Sequence, residues 1–246
     1  MSLDRAVKTV RLTVITDFVC VCCCIGQYEL LDAIKHCKDT LDLPIRFELE
    51  HIPFRLISTT VLPEGAKEAR HDFFTKSLGK EKMDALENNV IKWGQEKGRP
   101  LMLNGIMSQS TKAHRIVLKA GRLGGQDIQT PLISAIFAAS MEEGKDVDDP
   151  EVLADIAAKN NVMSREEALS FIESDELAKE VEEMSTAARA KGVTGVPVVI
   201  IDGKWAVSGS QSCDVYVQIF KKLSTCQGAG CATTSPLPTG LVECTV

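Results

Sequence analysis

The chain has 246 residues, 44% of them hydrophobic and 25% charged, with a formal net charge of −6. This is the composition of an ordinary water-soluble globular chain, long enough for one large domain or for a domain carrying an insertion. The acidic balance offers no electrostatic footprint for nucleic acid or for an anionic membrane, and no apolar run approaches the roughly 18 residues needed to span a bilayer.

Residues 1–10 include Asp4, Arg5 and Lys8 and no apolar stretch of the secretory type, so the sequence predicts a cytoplasmic protein. Nine cysteines in such a chain point to redox chemistry, metal binding or reduced thiols, because structural disulfides are rare in that compartment.

Residues 10–16 alternate and are rich in β-branched side chains, which predicts a strand. A short turn through Asp17, Phe18 and Val19 leads into the most unusual segment, Cys20-Val21-Cys22-Cys23-Cys24, with four cysteines in five residues. Residues 26–38 carry Tyr28, Leu31, Ile34 and Cys37 on one helical stripe. The cysteines therefore fall at a strand-to-helix junction, where unpaired N–H groups and the helix dipole favour a thiolate. Residues 45–52 read as a second strand with Ile45, Phe47, Leu49 and His51 on one face, which completes a β-α-β unit.

From about residue 63 to 191 the helical period takes over. Helices are predicted over 64–78, 80–97, 110–120, 126–142, 150–160, 164–173 and 175–191, with a loop over 101–109. Pro150 after Asp149 suits a first helical position, and Ser164 with Glu167 suits a capping box. The β pattern returns at Val196. Two apolar runs flank Asp202-Gly203, a hairpin signal, and a closing helix is predicted over 212–223. The Gly-, Thr-, Pro- and Cys-containing segment 226–246 reads as a flexible tail.

Taken together, these segments resemble the DsbA-like branch of the thioredoxin superfamily, in particular its FrnE-type members, from about residue 10 to 223. The family's Cys-Pro-Trp-Cys turn followed by Tyr-x-Gly corresponds to Cys20 through Gly26, which keeps Cys20, Cys23 and Gly26, with Asp17 upstream. His51-Ile52-Pro53-Phe54-Arg55-Leu56, Asn104 with Ala113-His114-Arg115, Gly192-Val193-Thr194-Gly195-Val196-Pro197 and Gly209-Ser210-Gln211 match further blocks. Val21, Cys22 and Cys24 depart from the family's Pro, Trp and Tyr, which detaches the family's usual redox potential from this chain.

The resemblance implies an α/β thioredoxin fold, a mixed central sheet interrupted by a large all-helical insertion. The thioredoxin-like domain would comprise 8–62 and 192–225, the insertion 63–191 and the tail 226–246. It also implies a thiol–disulfide oxidoreductase or isomerase. Cys20, exposed at the helix start, would attack and Cys23 would resolve. Gly195, Val196, a cis Pro197 and Phe18 would meet substrate.

Cys22, Cys24, Cys226 and Cys231 are candidate accessory thiols, the tail pair as an electron relay. Cys37 reads as core. His51 reads as a strand residue, and His114 and Arg115 as solvated or structural. No cofactor is required and no metal is assigned. The expected partners are protein or low-molecular-weight thiols and disulfides, with glutathione as a conceivable co-substrate, a small-molecule substrate as an alternative, and a homodimer as one assembly. The alternative activities are a glutathione-dependent transferase or isomerase, as in the kappa-class glutathione transferases and 2-hydroxychromene-2-carboxylate isomerases, and soft-metal binding by the thiolates of residues 20–24.

Overall fold

The computed structural model describes residues 7–225. Strand β1 (Lys8–Thr16) leads into helix α1 (Val21–Asp39), and β2 (Ile45–Pro53) follows. β1 pairs parallel with β2 along its whole length and antiparallel with the later strand β5 (Val198–Ile201), which forms a hairpin with β6 (Trp205–Ser208). The sheet order is β2-β1-β5-β6. Asp202 and Gly203, both with positive φ, make the turn in the three-residue connection between β5 and β6. Asp202 also closes the ladder on β1: its carboxylate accepts from the Arg11 N–H at 2.9 Å and its N–H donates to the Arg11 carbonyl at 2.8 Å.

Alternation along β1 gives the sheet two distinct faces. Val10, Leu12 and Val14 point toward α1 and the closing helix α8 (Cys213–Thr225). They bury against Leu30, Ala33, Ile34 and Cys37 of α1 and Tyr216, Val217 and Phe220 of α8. Phe47 meets Phe220 edge-on with ring centroids 4.7 Å apart. Each such buried side chain contributes about 1.5–3 kcal/mol relative to exposure, and Cys37 is core, as the helical stripe implied. The opposite face, which includes Ile15 and Ile52, turns toward the helical elements between β2 and β5.

Those elements are β3 (Glu68–Ala69), α2 (Arg70–Leu78), α3 (Lys80–Lys97), β4 (Ile106–Met107), α4 (Thr111–Met141), α5 (Pro150–Lys159), α6 (Arg165–Glu173) and α7 (Ala178–Ala190). Four differ from the sequence reading. The helix predicted from residue 64 begins only at Arg70, because Glu68 and Ala69 pair antiparallel with Met107 and Ile106. A small ladder thus interrupts the insertion expected to be all-helical, and its second strand lies inside the predicted loop. The last helix of this region starts at Ala178 rather than 175, after Leu177 adopts a positive φ of 67°.

The break between 120 and 126 is real: α4 kinks where Gly124 and Gly125 leave helical geometry. Asp149 caps α5, and Ser164 and Glu167 form the full capping box of α6. Arg115 is structural and not solvated. Its guanidinium donates to the carbonyls of Phe171, Ile172, Ser174 and Glu176, a cation set against the C-terminus of α6.

Directly after the kink, Gln126 reaches the outer edge of β2. Its Oε1 accepts from the Leu49 N–H at 2.7 Å and its Nε2 donates to the Phe47 carbonyl at 3.3 Å. One side-chain amide therefore takes the place of a neighbouring strand. Gln126→Ala is expected to lower stability by about 1–2 kcal/mol, measured by urea denaturation.

His51 on β2 is buried, and neither ring nitrogen has a hydrogen-bond partner. Burial lowers its pKa from 6.5 to about 4. The unfolded chain therefore takes up a proton near pH 6.5 that the folded chain refuses until about pH 4. Stability should fall by roughly 3 kcal/mol as the pH drops through that window, and His51→Leu should remove that component of the acid sensitivity in melts recorded against pH.

Candidate active site

The register of β1 places the site. Ile15 pairs with Val198, so the segment just before β5 lies beside the turn that leaves the end of β1. In that turn the Cys20 N–H donates to the Asp17 carbonyl at 3.2 Å. Helix α1 begins at Val21, five positions before the predicted start at 26, and the reason is local. Cys20 is its N-cap, with extended backbone angles, and its Sγ accepts the Cys23 N–H at 3.3 Å. Sulfur fills the place usually taken by a Ser, Thr, Asp or Asn oxygen. The first turn of α1 itself holds no acidic residue, and its N–H groups form the positive helix end at Cys20.

The same sulfur touches the second half of the chain. The Cys20 thiol donates to the Val196 carbonyl at 3.6 Å, and the Val196–Pro197 peptide bond is cis. Glycine at position 26 suits the fit: a Cβ there would lie 3.1 Å from Cγ of Pro197, so the proline ring would have to give by a few tenths of an ångström. The Pro197 carbonyl in turn accepts the Gly209 N–H at 2.9 Å. The structure thus brings together Cys20, Cys23, Val196 and Pro197.

Gly195, Val196 and Pro197 also line a groove of about 690 Å³ between the sheet and α7, with Ile15, Ile52 and Ile200 in its walls. Two expectations change. Cys20, expected to be exposed, is only 2% exposed, enclosed by the Val196 carbonyl and the first turn of α1. Phe18, expected at the substrate surface, is a core residue that packs on Phe137 and His114 with ring centroids 4.9 Å from each. Its aromatic ring finds more apolar area inside than the turn could offer outside.

The other cysteines of the cluster differ in state. Cys23 is fully buried and its thiol is pushed well up, first by desolvation, then by its hydrogen bond to Cys20 and the nearby Cys20 charge. A backbone hydrogen bond at Asp17 acts the other way, and the Asp17 charge raises it again. Cys24 is also buried and pushed up, chiefly by desolvation, against a hydrogen bond to Tyr28 that lowers it. The Tyr28 hydroxyl donates to Glu142 Oε1 at 2.8 Å, and the Arg99 guanidinium lies over its ring at 4.0 Å. Cys23 and Cys24 are therefore protonated thiols at neutral pH, while Cys22 is disulfide-bonded. Among the described residues no group of three or more His, Cys, Asp or Glu side chains is arranged to hold a metal ion. A helix turns successive side chains about 100° apart, so the four clustered sulfurs do not converge. Cys226 and Cys231 lie outside the described residues.

Two residues near the sulfurs escaped a functional reading in the sequence. The Asp17 carboxyl is buried. It accepts the Leu56 N–H at 2.6 Å and the Val19 N–H at 3.4 Å. His114, expected to be solvated or structural, is buried with Nε2 at 3.5 Å from Asp17 Oδ1. The pair is in contact but not aligned as a hydrogen bond, since Nε2 has no partner of good geometry. Only the matched Ala113-His114-Arg115 stretch marked His114 beforehand, and nothing in it pointed to Asp17.

The fold has solved relatives. A probable DsbA oxidoreductase from Streptomyces coelicolor is 20% identical with a TM-score of 0.74, over 96% of this chain and 94% of that one. A cytosolic disulfide reductase, DsbM from Pseudomonas aeruginosa, solved with GSH, is 15% identical with a TM-score of 0.58, over 87% of this chain and 98% of that one. A 2-hydroxychromene-2-carboxylate isomerase is 17% identical with a TM-score of 0.58, over 87% of this chain and 94% of that one. No curated protein matches the chain at a significant level. No helix among the described residues is long and apolar enough to cross a membrane. At these identities the likeness establishes the fold alone. The wider statement comes from the family model for the DSBA-like thioredoxin domain: its match over residues 11–221 takes in both the cysteine turn and the cis-proline loop, and the chain belongs to that family.

Proposed function

We propose that the protein is a thiol–disulfide oxidoreductase acting through Cys20 and Cys23. The observation that carries this reading is the double engagement of one sulfur. Cys20 Sγ accepts the Cys23 N–H at the start of α1 and donates to the Val196 carbonyl beside cis-Pro197. The first contact and the helix start both present N–H groups to the sulfur that has to attack. The second contact is lost when Cys20 ionises, because the thiol proton was the donor. The Val196 carbonyl then becomes an acceptor for a substrate backbone N–H, at the place where the substrate disulfide must lie for attack.

The division of labour follows from the electrostatics. Cys23, held as a buried thiol, does not compete for the first attack and stays in reserve one turn along the same helix. Attack by Cys20 gives a mixed disulfide. Cys23 then displaces the substrate sulfur, which leaves as a thiolate, and the buried Asp17, whose charge acts on Cys23, is a candidate acceptor of the Cys23 proton. Burial of Cys20 sets one condition: the substrate reaches Sγ only by displacing what covers it. A retained Cys20–Cys23 pair supports redox chemistry over activation of glutathione for transfer.

Cys23→Ser should stall the reaction at the mixed disulfide. After exposure of the reduced variant to oxidised glutathione or a disulfide-containing peptide, mass mapping should find the adduct on Cys20, and Cys20→Ser should carry none at that position. An absence of any adduct on Cys20 would overturn the oxidoreductase reading.

A further inference from the structure

The register of the sheet gives the groove beside cis-Pro197 a graded floor. Ile15 of β1 stands opposite Ile52 of β2 and Val198 of β5. Two residues back along β1, Thr13 stands opposite Glu50 and Ile200. Side chains two residues apart share one face of a strand and lie roughly 7 Å apart. All six residues line the groove. Its floor therefore has an apolar row next to the loop and, one step further, a row that begins with a carboxylate. Helix α7 supplies the other wall, with Met184 and Ala188 along it and Lys191 at its C-terminal end.

Glu50 differs from the acids around it. Glu48 is paired with Arg11 at 3.3 Å and also with Arg46. Asp202 is held by the Arg11 N–H. Glu50 is exposed, and among the described residues it meets no cation; its Oε2 accepts a hydrogen bond from the Thr13 hydroxyl at 3.2 Å. An uncommitted carboxylate thus stands in a groove that starts at Val196, whose carbonyl touches Cys20. The volume of about 690 Å³ is far more than a reacting disulfide needs and lies within the range of pockets that enclose a ligand of several residues.

We propose that this groove takes the polypeptide that flanks the substrate disulfide, with an apolar side chain over Ile15 and Ile52 and a lysine or arginine against Glu50, which makes Glu50 a specificity-determining residue. This substrate class rests on the oxidoreductase reading. A chain whose backbone N–H pairs with the Val196 carbonyl enters extended, and its own side chains on one face repeat at the same roughly 7 Å. The two rows therefore select an apolar residue and a basic residue separated by one position. The net charge of −6 acts in the same direction at longer range. Glutathione suits neither row: it has no apolar side chain and two carboxylates, and its one ammonium group shares a carbon with a carboxylate.

The test compares capped peptides with one cysteine, held as a mixed disulfide with nitrobenzoate thiol. The cysteine is followed by leucine, serine and either lysine or glutamate; a second set places the same pattern before the cysteine, and the set with the larger difference is read. The reduced full-length protein carries Cys23→Ser, so the adduct persists. The Cys20 thiolate bonds to the peptide sulfur, and the aromatic thiolate leaves with the electron pair and is followed by its visible absorbance. Mass mapping checks that the peptide is on Cys20. Each rate constant is divided by that for neutral hydroxyethyl disulfide, which corrects for any change in Cys20 itself.

The lysine peptide should react about fivefold faster than the glutamate peptide at low salt, and the ratio should shrink in about 0.5 M salt. Glu50→Gln should remove the preference and Glu50→Lys should invert it. Serine in place of the peptide's leucine should slow both peptides about threefold or more. Equal rates for the two peptides overturn the proposal. So does a preference that survives Glu50→Gln, which belongs to the overall acidity of the chain, or a rate indifferent to the leucine. A rate constant that falls as protein concentration rises assigns the groove to a second copy and overturns it too. If neither hydroxyethyl disulfide nor any peptide forms an adduct on Cys20, the oxidoreductase reading itself fails; an adduct formed without discrimination sinks only the assignment of the groove.

Discussion

Everything at the site depends on one strand lying between two others far from it in sequence. β1 pairs with β2 on one side and with β5 on the other. Because Ile15 is opposite Val198, the residues immediately after β1 and immediately before β5 must meet at the same end of the sheet. Cys20 and the Val196–Pro197 peptide are those residues. Their contact is fixed by the four-residue pairing of β1 with β5 and not by the weak sulfur–carbonyl hydrogen bond itself. Gly26 then lets α1 close on the proline ring, so the helix start and the loop are held from two directions.

The two cores on either side of this sheet have different characters. Between the sheet and α1/α8 the buried side chains are almost wholly aliphatic or aromatic, and this half supplies much of the fold's cohesion. On the other side, apolar packing is threaded with buried polar groups: Asp17, His51, His114, Arg70 and Ser140. Arg70 is a telling case. Among the described residues its guanidinium bonds to the Ser140 carbonyl and hydroxyl, the Ile106 carbonyl and Met141 Sδ, and desolvation lowers its pKa to about 10. It stays charged, and it links the insertion to the carbonyl of Phe18, two residues before Cys20, through Ser140. Buried polar groups of this kind reduce stability unless they are satisfied, and their concentration beside the sulfurs marks the half of the molecule shaped for chemistry.

Local signals were legible in the sequence, and joint ones were not. The Asp202-Gly203 hairpin, the Ser164/Glu167 capping box and the glycine break in α4 are each decided within a few residues, and each stands where the pattern placed it. The start of α1 is hidden because a cysteine as N-cap has no strong propensity, and the substrate-facing place for Phe18, which the resemblance implied, gives way to its burial against Phe137 and His114. The short β3–β4 ladder needs partners almost 40 residues apart and leaves no periodic trace in a two-residue strand. The Asp17–His114–His51 group is invisible for the same reason. It draws on a turn, a helix of the insertion and a strand, and only the folded chain shows that the two histidine rings share one small space.

The kink after Gly125 has a consequence for assembly. An open sheet can grow at either margin by recruiting another chain, and its outer strands are where association and aggregation begin. Here the β2 margin is stoppered by Gln126, whose amide occupies the Leu49 and Phe47 backbone groups that an incoming strand would need. The opposite margin is β6, only four residues long. Sheet extension is thus polarised: a strand-swapped or strand-added partner is steered away from β2, and a single glutamine set by a glycine kink acts as the chain's safeguard along its longest outer strand.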